Sequence, residues 1–353
     1  MSTWERLLDG FDRRSGRQML FAIAVMNTIT GIGMAATIAS DNFGQDSGLF
    51  RRCALQLAEG QREFCGFLYS PLTALAARPL TWISPTAAMV TMTLIGAAIL
   101  LTGVTWETRG QALIDRVLVA VAAVTCAPVV YELLLGQTTL LIVAALYPLA
   151  RRPDAVRNGI PFGVVLALAP KPLLLPILLW MLVWRRRALV ATALTAALLT
   201  VIGVALLGVG QYQDWIGVLS GAGRESVEGT FVLSARDTGN FSIWPLSPVT
   251  FILGCAVAIV AAVAIVRDAT KGFIASLFAG LLLAPYSLLY AFSILVLAVK
   301  PSLEFAPRTT RVLILVANIV RSSPVTFTIW SLVWLSRCIE PRRSAVIAPS
   351  REP

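Results

Sequence analysis

Asp41 and Asp46 stand in "SDNFGQDSGLFRRCALQLAEG", directly after a long, almost uncharged apolar run, and Lys171 stands in "LALAPKPLLLPILLW" with no other charge beside it. A carboxylate at a membrane edge can act as a general base, and a lysine among apolar residues is costly unless it meets an anion, water or a carboxylate. Histidine is absent from the whole sequence. That removes the usual proton shuttle, the Ser-His pair and the commonest metal ligand, so a general base here has to be Asp, Glu, Tyr or Lys.

Each of these side chains also has a plainer use. Asp46 opens a stretch in which Leu49, Phe50, Cys53, Ala54 and Leu57 fall on one helical face and Arg51, Arg52, Gln56 and Glu59 on the other. It can therefore equally be the N-cap of a helix lying in the membrane interface. Lys171 can snorkel from a helix end, or a helix broken at Pro170 and Pro172 can leave N–H groups beside it to face a phosphate oxygen. Arg321 in "VANIVRSSPV" is a second cation of this kind or a plain loop arginine. Glu132 and Gln137 in "YELLLGQTT" can be functional or can hydrogen-bond a turn between helices. Asn240 and Ser242 in "TGNFSIWP" end a polar stretch and match a glycosylation sequon.

The chain that carries these residues has 353 positions, of which 57% are hydrophobic and 14% charged. Such a composition excludes a water-soluble globule and implies an all-α, polytopic membrane protein forming one transmembrane domain over 1–353. The formal charge of +10 comes from short basic clusters between apolar runs, which mark cytoplasmic loops and not a nucleic-acid partner. On that rule both termini are cytoplasmic. Met19–Ala39 crosses outward, external loops cover about 40–83 and 209–243, and Pro85–Trp106 returns. Ala188–Gly208 crosses outward, Trp244–Val266 returns, and a cytoplasmic tail covers about 337–353.

Two further blocks lie between basic flanks and are interrupted near the middle: Val117–Ala150 at "YELLLGQTT" and Ile160–Trp184 at "APKP". Each has to turn round within or beyond the membrane. The second has arms of about a dozen residues, or roughly 18 Å of helix, too short for two crossings, and predicts a re-entrant or broken hairpin. One tilted helix kinked at Pro170 and Pro172 is the alternative. Gly272–Val299 and Val312–Ser336 carry comparable interruptions, and Phe67–Trp82, broken by Pro71 and Pro79, is expected to dip into the outer leaflet or lie along it. Cys53 and Cys65 share the first external loop, where an oxidising compartment permits a bridge; otherwise they are small apolar residues on a packed face.

In the order of these parts the chain resembles the polyprenol-phosphate-mannose dependent α-mannosyltransferases of the GT-C class, in glycosyltransferase family 87. The likeness rests on "GQDSGLFRRCALQLAEG" after the first span, "YSPL" in "FLYSPLTALAARPL", the Gly-Gln turn of "LLLGQTTLLIVAALYPLARR", the Lys-Pro of "LALAPKPLLLPILLWMLVWRRR", and "NFS" before a later span. It implies a GT-C-like helical bundle with re-entrant or broken helices and an external loop bearing a short interfacial helix. It further implies a glycosyltransferase that moves a sugar, mannose by resemblance, from a polyprenyl-phosphate-sugar donor to a glycolipid or glycan hydroxyl on the external face of the cytoplasmic membrane.

By the same resemblance Asp46 takes the position of the catalytic base, and Asp41 could exchange roles with it or share a divalent cation, although no cofactor is required. Lys171 and Arg321 would bind the donor phosphate, and Tyr69, Gln137 and Asn240 would contact sugar or phosphate. The region "LLAPYSLLYAFSILVLAV" lacks the His or Asp that relatives often carry near the equivalent Pro. A lipid or solute transporter, or a non-catalytic membrane subunit of a polysaccharide export system, is the other class that broken helices with a buried lysine describe.

Overall fold

The structure, a computed structural model, describes residues 17–33, 35–36, 44–60, 65, 68–152, 154–228, 248–284 and 289–305. Every regular element among them is helical: α1 (17–33), α2 (Gln45–Ala58), α3 (Pro71–Ala76), α4 (Pro85–Glu107), α5 (Leu113–Thr125), α6 (Ala127–Leu135) and α7 (Thr139–Arg151). There follow α8 (Val156–Leu168), α9 (Leu175–Trp184), α10 (Arg186–Leu207), α11 (Val209–Glu228), α12 (Pro248–Arg267), α13 (Ala269–Leu283) and α14 (Val296–Phe305). Helices α4 and α10 are long and apolar enough to cross a membrane, and α5 with α6 makes a third candidate span bent by 60°. Prolines place several of the starts: Pro85 and Pro128 each lie in the first turn of a helix, where a missing N–H costs nothing.

α10 illustrates what solvent this fold is built for. It buries only Ala188, Ala191, Thr192 and Gly203 against the protein, while Leu194, Leu198 and Val201 stay more than half exposed. Small residues inside and large ones outside is the pattern of a helix packed in lipid, where close backbone approach drives association. The partner surface on α8 is set by Gly159 and Gly163, one turn apart and both buried. A methyl group built on Gly159 would lie 1.9 Å from the Ala188 carbonyl oxygen, and one on Gly163 would lie 2.7 Å from that of Thr192. The Thr192 hydroxyl also donates to the Gly159 carbonyl at 3.0 Å. Gly159→Val is therefore expected to force the pair apart, because what it meets is backbone. The cost should be about 1–3 kcal/mol, read as a lower unfolding temperature in detergent.

These contacts advance by four residues on both helices, so α8 and α10 run parallel. The segment between them must travel back, which makes Ile160–Trp184 a broken hairpin and rules out one kinked helix. α9 indeed runs antiparallel to α13: the Trp180 indole donates to the Ala269 carbonyl at 2.7 Å, and Gly280 lies against the Leu173 carbonyl.

A second hairpin is built the same way. α7 runs parallel to α4, since Gly96 faces Leu133 and Leu140 while Glu107 accepts from Tyr147 Oη at 2.7 Å and from Arg151 Nε at 2.8 Å. α5 and α6 must run the other way, and Gly136, at φ 71°, closes the turn in a left-handed conformation that favours glycine. Lys300 of α14 pairs with the other oxygen of Glu107 at 2.7 Å, tying a third returning segment to the same end. The α5 to α6 bend at Cys126 was not expected from the sequence; Pro128 opens a new helix there.

One further expectation changes. The expected loop from Val209 begins with a 20-residue helix, α11, because Tyr212 and the partly buried Trp215 pack inward while Gln213 and Asp214 face out. That alternation is a surface helix, although its polarity suggested a loop. The described part of Phe67–Trp82, residues 68–82, is broken at its prolines as expected, into α3 and a 3₁₀ turn over Arg78–Trp82. The interruption in Val312–Ser336, and the tail, lie outside the described residues.

Candidate functional site

The two hairpin turns, Gly136–Thr138 and Ala169–Lys171, meet, and α2 with the start of α3 covers them. Lys171 Nζ donates to Thr139 Oγ1 at 3.4 Å across the junction. The covering layer is held by backbone carbonyls left free where α8 stops: Ser70 N and Thr73 Oγ1 reach the Leu168 carbonyl at 3.1 and 2.5 Å, and Ser70 Oγ reaches that of Ala167 at 2.6 Å. On the other hairpin, Gly44 N donates to the Leu134 carbonyl at 2.8 Å. The close approach of α2 to the turn depends on Gly136, where a methyl group would lie 2.8 Å from Ser47 Cβ.

α2 is amphipathic as its periodicity implies. Ser47, Phe50, Cys53 and Ala54 are buried, and Phe50, Cys53 and Ala54 form a small core with Tyr69, Ala74, Ala77 and Ala169. Cys53 and Cys65 are joined in a disulfide with their Cα atoms 5.5 Å apart. The bridge ties α2 to the stretch of chain leading into Tyr69, whose ring meets Phe50 edge-on at 4.9 Å.

Asp46 is not a helix cap. Gly44 occupies the cap position at φ 70°, and Asp46 lies in the first turn, half-buried, with its side chain turned to the hairpin. Its Oδ2 accepts from Gln137 Nε2, Gln137 Oε1 accepts from Tyr69 Oη at 2.6 Å, and Thr138 Oγ1 donates to Tyr69 Oη at 3.3 Å. Lys171 Nζ lies 5.5 Å from the centre of the Tyr69 ring, within cation–π range. Burial raises the pKa of Asp46 above the usual carboxylate range, opposed by the Gln137 hydrogen bond and by the positive charge of Lys171.

Four of the residues singled out in the sequence, Asp46, Tyr69, Gln137 and Lys171, are thus one cluster. Asp41, Asn240 and Arg321 lie outside the described residues. Among the described residues no group of three or more acidic, cysteine or histidine side chains is placed to hold a metal ion. Thr138 and Thr139 join the cluster without a chemical signal of their own in the sequence; their one sequence cue is position, immediately after the Gly136-Gln137 turn that ends α6.

A base must be ionised to accept a proton, so a reaction relying on Asp46 loses rate as pH falls through its raised pKa. Gln137→Leu removes a hydrogen bond that favours the carboxylate. The acidic limb of kcat/KM is then expected to move to higher pH, by roughly one unit. An unmoved limb in a pH–rate profile would show that Gln137 does not tune the base.

The family model for glycosyltransferase family 87 matches residues 67–291. The match takes in Tyr69, Gln137, Lys171 and Asn240 and begins after Asp46, which joins the site through its bond to Gln137. No curated protein and no solved structure matches the chain.

Proposed function

The chain belongs to glycosyltransferase family 87, and from that premise we propose that it transfers a sugar, mannose in the first instance, from a polyprenyl-phosphate-sugar donor to a hydroxyl of a glycolipid or glycan acceptor. The reaction takes place at the external face of the cytoplasmic membrane, with both termini inside. The observation that carries this reading is that one half-buried carboxylate, Asp46, and one lysine, Lys171, are brought to the same hairpin junction, Asp46 through its bond to Gln137 and Lys171 over the ring of Tyr69, whose hydroxyl donates to Gln137.

The chemistry asks for little more. The acceptor oxygen attacks the anomeric carbon, its proton passes to Asp46, and the bond from that carbon to the phosphate oxygen breaks with its electrons leaving on the polyprenyl phosphate. Because a phosphate is already a good leaving group, no general acid is needed; a cation that stabilises charge growing on it is enough. A single displacement of this kind inverts the anomeric configuration. In this reading Asp46 is the base, with Asp41 its neighbour in the same loop, Lys171 with Arg321 meets the departing phosphate, and Tyr69, Gln137 and Asn240 contact sugar or phosphate. The basic ends of both hairpins, at Arg116, Arg151, Arg152, Arg157 and Arg185–Arg187, favour turns that face the opposite, external side.

The test uses the full chain in lipid with labelled polyprenyl-phosphate-mannose and a panel of glycolipid and glycan acceptors. Labelled product supports the reading. Transfer only from a nucleotide sugar would overturn the donor assignment, and donor movement across the bilayer without any product would replace the transferase by a transporter.

A further inference from the structure

We infer that Glu132 is a positioning residue for Lys171: its buried carboxylate holds the lysine charged and in place at the hairpin junction before any donor arrives. The inference concerns the site of the proposed transferase and rests on Lys171 being its phosphate-facing cation.

Glu132 is 1% exposed, at a depth where an ionised carboxylate needs compensation. One oxygen, Oε1, accepts from Leu140 N at 3.0 Å and so caps the start of α7, with Thr139 adding hydrogen bonding from its hydroxyl and backbone. The other, Oε2, is buried without a hydrogen-bond partner among the described residues. Capping by itself does not call for this residue. A hydroxyl or amide caps a helix without bringing a full charge into the interior, and Thr138, at the cap position of α7, makes no cap bond. The carboxylate is explained by what stands across Thr139. Lys171 donates to Thr139 Oγ1, and the Glu132 carboxylate accepts from the N–H of the next residue, Leu140, so the ammonium and the carboxylate stand close together at the start of α7.

Two carboxylates therefore lie at the junction with Lys171, Glu132 of α6 at the start of α7 beside Thr139 and Asp46 of α2 through Gln137 and Tyr69, while the Tyr69 ring and the Thr139 hydroxyl are neutral. Their roles divide by burial. Asp46 is half-buried and open to an acceptor hydroxyl, whereas Glu132 is sealed beneath the turn. Glu132 thus supplies the counter-charge that lets Asp46 remain a base and not become a permanent partner of the lysine.

The test is the rate at which Lys171 is acylated by acetic anhydride in the full chain without donor, read by peptide mass spectrometry against the other two lysines, Lys271 and Lys300. An ammonium that loses its counter-charge sheds its proton more readily and reacts faster as the amine. Glu132→Gln keeps shape and a hydrogen-bonding oxygen, and is expected to raise Lys171 labelling about tenfold, the equivalent of one pKa unit, with the unfolding temperature little changed. Unchanged relative labelling in a folded Glu132→Gln protein overturns the inference. If that variant does not fold, Thr139→Val, which removes the hydroxyl that Lys171 donates to beside Glu132, replaces it: faster Lys171 labelling supports the inference, and unchanged labelling overturns it. Since labelling needs no sugar donor, a wrong donor assignment would leave this result standing.

Discussion

Asp46→Asn is expected to lower the rate of sugar transfer by about 10²–10⁴-fold, the range for loss of a positioned general base, while donor binding stays close to that of the unaltered protein. The substitution is clean in this setting. The new amide would keep an oxygen facing Gln137 Nε2, so the bond between α2 and the hairpin turn can persist while the ability to take a proton is lost. The two quantities to measure are single-turnover transfer and equilibrium binding of the polyprenyl-phosphate donor. Binding retained with transfer lost identifies the base. Transfer retained at more than about a tenth of the normal rate would move the role to another carboxylate, for which Asp41 is the first candidate. The pH profile adds an independent check: the acidic limb assigned to Asp46 must vanish in the variant.

Lys171→Met should cost about 10²–10³-fold in kcat, as removal of one group stabilising a developing anion usually does. It should also weaken donor affinity, though by less. A second consequence has a definite sign. The positive charge of Lys171 favours the ionised form of Asp46, so without it the carboxyl is protonated more easily and the acidic limb moves to higher pH. A lysine that merely snorkels from a helix end would show neither effect. Lys171→Arg keeps charge but not size, and should recover part of the donor binding while transfer stays impaired, because the compact junction with Thr139 and Tyr69 fits an ammonium.

Much of the site was legible from residue type and local pattern. Apolar runs bounded by arginines implied an all-helical membrane fold, and the period of Leu49, Phe50, Cys53, Ala54 and Leu57 implied the amphipathic α2 that the structure contains. Lys171 stood out because a lone charge among leucines and prolines has a high desolvation cost. Gly136-Gln137 read as a turn because glycine readily takes the left-handed conformation there. These are single-residue energetics and short-range geometry, which sequence records directly.

Other features depended on segments far apart in the chain. Asp46 was readable as a helix cap until the fold put Gly44 in that position and turned the carboxylate toward Gln137, 91 residues away. No periodicity relates those two positions, or Tyr69 to Gln137, 68 residues apart. The choice between a kinked span and a hairpin at Pro170 and Pro172 was also open, since prolines interrupt a helix without saying which way the chain leaves. It was decided by Gly159 and Gly163 meeting Ala188 and Thr192 in parallel, a contact between helices separated by the hairpin's own second arm. The sequence by itself therefore determined the solvent this protein folds in, most of its helices and the cost of its buried charges. Which charges meet was decided by tertiary structure alone, because that depends on long-range backbone packing, and glycine spacing permits such packing without specifying its partner.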